Sequence, residues 1–96
     1  MRLNRDAVKS IRHIVDQVCG DSEVWLFGSR VDDHKRGGDI DLYIETGHEI
    51  QMMKQLRLMS QLQCALGFRK IDVVIRTPDS ADRPIFYTAK DTGVQL

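Results

Sequence analysis

Gly28-Ser29-Arg30, then eight residues, then Asp39-Ile40-Asp41-Leu42-Tyr43-Ile44: this is the most informative stretch of the chain. Ile40, Leu42 and Ile44 alternate with Asp39, Asp41 and Tyr43, the period of a half-buried strand, so the two aspartates project from one face about 7 Å apart along the backbone. Carboxylates held that close in a partly buried setting repel, and each raises the other's pKa unless a cation sits between them. Magnesium fits such a pair, being a hard ion that takes carboxylate oxygens together with phosphates and water. Asp72 repeats the pattern within the apolar run Ile71 to Ile75, where it points away from Ile71, Val73 and Ile75. If the two strands are neighbours, all three carboxylates converge, which together with the glycine-serine turn suggests a two-metal phosphoryl-transfer site.

Gly28-Ser29-Arg30 follows Val24-Trp25-Leu26-Phe27 and therefore lies where a strand leaves the sheet. Glycine lets the backbone come close to a phosphate, serine adds a hydroxyl and its own N–H, and Arg30 can neutralise phosphate charge. A helix or turn beginning here would point more N–H groups at the same anion. Taken singly, each piece has a plainer explanation. Asp-x-Asp recurs on solvated strands and in calcium loops, Gly-Ser is a common turn, and Asp72 alone fits an edge strand facing water. The ordered combination is what carries information.

The surrounding sequence reads as helix, strand, strand, helix, strand, helix. Leu3, Ala7, Ile11, Ile14, Val15 and Val18 recur at helical steps, giving a helix from Arg5 to Cys19 with Asn4 as N-cap and Gly20 as its stop. A strand follows at Glu23 to Phe27. Beyond the Asp-x-Asp strand, Met53, Leu56, Met59, Leu62 and Leu66 mark a second helix from about Glu49 to Leu66, ended by Gly67, with Met52, Met53 and Met59 as core filler. The third strand runs from Arg69 to Arg76, and Thr77-Pro78-Asp79-Ser80 is a turn. Pro84 then opens a short helix carrying Ile85, Phe86 and Ala89, which Gly93 stops. The expected class is α+β, a small mixed β-sheet with helices packed on one face and the carboxylates on the other.

A chain of 96 residues reads as a single domain over 1–96, with one core and no second lobe to recognise an acceptor. Net charge is zero and the basic residues are interspersed with acids, which argues against stable nucleic-acid binding and a template-directed polymerase. Lys35-Arg36 precedes Asp39, but Asp32 and Asp33 offset it; a solvated loop is the plainer reading of these charges, and contact with a triphosphate is the alternative. Cys19 and Cys64 are far apart, and neither they nor His13, His34 and His48 have a zinc spacing, so a reducing, cytoplasmic setting is expected. Neither a signal peptide nor an apolar run of membrane-spanning length is present, so no membrane partner is expected. A three-stranded sheet leaves two open edges, which makes a homo-oligomer or a protein partner a reasonable expectation, with Tyr43 and Tyr87 either as candidate contacts or as residues at the rim of the core.

In its ordered motifs the chain resembles the DNA polymerase beta-type nucleotidyltransferase superfamily, and in particular its smallest members, the minimal nucleotidyltransferases often paired with HEPN proteins. The resemblance rests on a strand, Gly28-Ser29, a loop, Asp39-x-Asp41 on the next strand and Asp72 on a later one. It implies a polymerase beta-like core with ATP as nucleotide donor and two Mg2+ ions held by Asp39, Asp41 and Asp72, which would be both the metal ligands and the catalytic residues. Asp72 would bind the catalytic metal and help accept a proton from the attacking hydroxyl, while Gly28 and Ser29 would hold the terminal phosphates. Arg30 is common in the bacterial minimal members, whereas Gly38 stands where many relatives have serine. The implied reaction moves AMP to an acceptor hydroxyl, often a tyrosine on a HEPN toxin, which makes the chain an antitoxin. The alternative is a non-catalytic antitoxin module that caps its partner sterically. Nucleotidylation of a small molecule such as an aminoglycoside is disfavoured, because nothing beyond the minimal core remains to build a drug pocket.

Overall fold

The structure is a computed structural model that describes residues 5–28, 40–67 and 70–96. Its elements are α1 (Arg5–Cys19), β1 (Ser22–Phe27), β2 (Ile40–Thr46), α2 (Met52–Leu66), β3 (Ile71–Arg76), α3 (Pro84–Thr92) and β4 (Val94–Gln95). The strands form a mixed sheet in the order β3-β2-β1-β4, with β1 antiparallel to β2 and β4, and β2 parallel to β3. A parallel pair needs a long connection, and α2 supplies it. The α+β class and the mixed sheet agree with the sequence reading.

One face of the sheet is aliphatic. Val24, Leu26, Ile40, Leu42 and Ile44 pack there against Ile11, Ile14, Val15 and Val18 of α1 and Leu58 and Leu62 of α2. Each such side chain taken out of water contributes about 1.5–3 kcal/mol, which makes this layer the main source of stability. α1 follows the period read from its sequence and ends where the Gly20 N–H donates to the Asp16 carbonyl at 3.0 Å. Asn4, its expected N-cap, lies outside the described residues.

α2 departs from expectation in the face it buries. Leu58 and Leu62 point into the core, whereas Met52, Met53 and Leu56 are exposed, so Met52 and Met53 are not core filler. The sequence offers two overlapping apolar stripes on this helix, and packing against α1 and β3 selects the one that contains Leu58.

The expected layer of helices on one face holds for α1 and α2, while α3 lies against the other. Phe86, fully buried, stacks on Tyr43 with ring centroids 5.6 Å apart, and Tyr43 meets Trp25 at 5.4 Å. Trp25, Phe27 and Ala89 complete this smaller cluster. Tyr43 is therefore a core residue and not an interface contact, whereas Tyr87 is half exposed and donates to Asp82 at 2.8 Å.

Pro84 begins α3 as expected, and the Gly93 N–H closes it on the Ala89 carbonyl at 2.9 Å. A Cβ at Gly93 would lie 2.8 Å from the Leu26 carbonyl oxygen and 3.1 Å from the Phe27 Cβ, so only glycine lets the chain pass this close to β1. From there β4 adds a fourth strand along β1, with Val94 opposite Leu26. Two residues are too few to show a period in the sequence.

Candidate active site

Three chain segments meet at one end of the sheet. β1 leaves it through Phe27 and Gly28, while β2 and β3 both enter it there, at Ile40-Asp41 and Ile71-Asp72. The register is specific. Phe27 lies opposite Asp41, and Asp41 lies beside Asp72 in the parallel pair. Side chains at paired positions of neighbouring strands point to the same face, so the two carboxylates stand side by side on backbones about 4.8 Å apart. The backbone bond from the Ile40 N–H to the Lys70 carbonyl, 2.9 Å, extends the pairing one step beyond this point and fixes the alignment.

Both aspartates are on the α3 face of the sheet, the face that also carries Tyr43. α3 covers that face over Trp25, Tyr43 and Val74. Beyond its cover, Asp41 is half-buried and Asp72 is exposed. The same alternation that sends Leu42 into the aliphatic core sends Asp41 to the opposite face, the one that α3 partly covers.

Gly28 sits directly against Asp41. Its φ of +75° is a conformation that L side chains rarely adopt, and a Cβ there would run into Oδ2 of Asp41 and lie 3.0 Å from its Cγ. A glycine is thus required twice over, by backbone conformation and by contact. The neighbour that demands it is a carboxylate of the site.

The structure thus brings Asp41, Asp72 and Gly28 together. Asp39, Ser29 and Arg30 lie outside the described residues, and among the described residues no three His, Cys, Asp or Glu side chains gather. The donors that are present suit magnesium. They are hard carboxylate oxygens from two adjacent backbones, and their mutual repulsion is relieved by a divalent cation. No described helix is long and apolar enough to cross a membrane.

Sequence reasoning missed the polar chain beside this site. The Tyr43 hydroxyl donates to Oε2 of Glu45 at 2.7 Å, and Lys90 of α3 donates to the same oxygen at 3.3 Å while lying 5.2 Å from the centre of the Trp25 ring. Burial, helped by the bond to Glu45, pushes the Tyr43 phenol up to about 12. Burial pushes Glu45 upward as well, but the Tyr43 hydroxyl and the Lys90 ammonium outweigh it and hold its carboxyl below the usual value. The available signal was the alternation Asp41, Tyr43, Glu45, which places all three on one face.

The family model for polymerase beta nucleotidyltransferases (Polymerase beta, Nucleotidyltransferase) matches residues 9–96. The chain belongs to that family, and its activity in general terms is nucleotidyl transfer. No curated protein matches it.

Proposed function

We propose that this member of the polymerase beta nucleotidyltransferase family transfers AMP from ATP to an acceptor hydroxyl at the site formed by Asp39, Asp41 and Asp72. The observation that supports it most is the register pairing of Asp41 with Asp72 beside Gly28. In this reading the three aspartates hold two magnesium ions. Bound there, such ions neutralise triphosphate charge and make an acceptor hydroxyl easier to deprotonate.

The protein's own residues do the positioning. In this reading Asp41 and Asp72 fix where the reacting phosphate sits, because their backbones share one register and Gly28, having no Cβ, leaves room for the Asp41 carboxylate. Gly28 and Ser29 present backbone and hydroxyl donors to the terminal phosphates, and Arg30 offsets their charge. In this reading Asp72 accepts the proton of the incoming hydroxyl, a role its exposure supports. The acceptor oxygen bonds to the α-phosphorus, the bond from that phosphorus to the bridging oxygen breaks, and pyrophosphate leaves. A tyrosine of a HEPN-type toxin partner is the acceptor we propose, which makes the chain an antitoxin.

The test is to add purified protein, magnesium and α-labelled ATP to an extract of its source cells, beside an Asp41→Asn control. A labelled protein band made only by the wild type supports transfer and identifies the acceptor by mass. Equal labelling by Asp41→Asn contradicts the assignment. A partner that is still neutralised by protein lacking all three aspartates would favour the steric cap.

A further inference from the structure

The outer side of α2 carries an apolar surface that neither the core nor the candidate site uses. Met52, Met53 and Leu56 are 68 %, 74 % and 57 % exposed and lie within one turn of each other. Met53 and Leu56 also line a shallow groove together with Lys54 and Arg57. Single exposed apolar residues are ordinary, but three large ones side by side on a small domain mark an interaction surface. Methionine suits that use, because its flexible thioether adapts to a partner's shape.

Charge indicates what covers it. The charged residues of α2 are Lys54 and Arg57, and the helix contains no acid, in a chain whose total charge is zero. A symmetric pairing of two copies through this face would gather four cations around one apolar patch, which disfavours a second copy as occupant. From the exposed trio and its two cations, we propose that this face of α2 docks an acidic amphipathic helix of a protein partner, with apolar side chains in the Met53–Leu56 groove and carboxylates on Lys54 and Arg57. Helix-in-groove recognition of this kind uses apolar anchors at helical spacing with flanking charge. The surface lies on the opposite side of the sheet from Asp41 and Asp72, so it is independent of the transfer reading.

The probes are two labelled helical peptides with leucines at i, i+3, i+4 and i+7, one with glutamates on the remaining positions and one with lysines. Fluorescence anisotropy with the full chain should show binding of the glutamate peptide only. Met53→Ser with Leu56→Ser, and separately Lys54→Glu with Arg57→Glu, should each weaken it roughly tenfold or more, about 1.4 kcal/mol per factor of ten. The charge-reversed variant should gain the lysine peptide. All four positions are exposed or lie on the groove, and circular dichroism checks that each variant is folded. Equal binding of both peptides, or binding of neither, overturns the proposal. So does sedimentation showing self-association that Met53→Ser with Leu56→Ser abolishes, which would make the occupant a second copy.

Discussion

The two faces of the sheet solve different problems with adjacent residues. Toward α1 and α2, β1 and β2 present Val24, Leu26, Ile40, Leu42 and Ile44, all fully buried among aliphatic neighbours. Toward α3 the same strands present Trp25, Phe27, Asp41, Tyr43 and Glu45, an aromatic cluster with a half-buried carboxylate at either end. Burial saturates on the first face. The second face holds polar groups in place, with the Tyr43 hydroxyl and the Lys90 ammonium both donating to Glu45. The aliphatic core and the candidate site are thus separated by the pleat of a strand, at a distance of one residue.

Substitutions can break this comparison. The largest stability effect should come from Leu42→Ala, since a large-to-small change at a fully buried central strand costs about 3–5 kcal/mol, a large part of the whole stability of a small domain. Urea unfolding measures it, and at low temperature the folded fraction should keep its nucleotidyl transfer. On the other face, Gly28→Ala should lower magnesium affinity measured by calorimetry without nucleotide, because its new Cβ collides with the Asp41 carboxylate. If Gly28 serves phosphate alone, only the nucleotide KM will change.

Tyr43→Phe sharpens the contrast through pH. The folded value of Tyr43 is raised from 10.0 to about 12, so its contribution to stability is whole below pH 10 and is lost as pH rises toward 12. Phenylalanine should remove that alkaline limb and cost about 1–2 kcal/mol at neutral pH for the lost bond to a carboxylate. Glu45 acts at the other end of the scale. Its folded value is depressed, so its contribution is present above the ordinary carboxylate range and fades as pH falls through the lower folded value. The smallest effect should be that of Lys90→Ala, under about 1 kcal/mol and reduced by salt, because its pair with Glu45 is partly exposed. Denaturation curves at two ionic strengths measure it.

The aliphatic face was legible in the sequence and the other face only in part. Ile11, Ile14, Val15 and Val18 admit one helical face, so α1 was readable as a helix together with its C-terminal end at Cys19. α2 was readable as a helix but not in its orientation, because Met53 with Leu56 and Leu58 with Leu62 each form an acceptable stripe and only packing against α1 and β3 chooses between them. Asp41 and Asp72 were recognisable as polar interruptions of apolar runs, and their union follows from the parallel pairing that α2 spans. What local pattern could not supply was α3 on the carboxylate side. Phe86 finds Tyr43 across more than forty positions of chain, and no periodicity records such a contact. The burial of Tyr43 and its bond to Glu45 follow from that packing.

Asp41 and Leu42 are neighbours in the chain that point to opposite faces, which makes label transfer from α-labelled ATP by folded Asp41→Asn protein the most direct measurement. The separation of chemistry from stability predicts no labelled acceptor, with an unfolding midpoint close to that of the wild type. Full magnesium-dependent labelling by that variant would contradict it, and would move the reaction away from the paired aspartates.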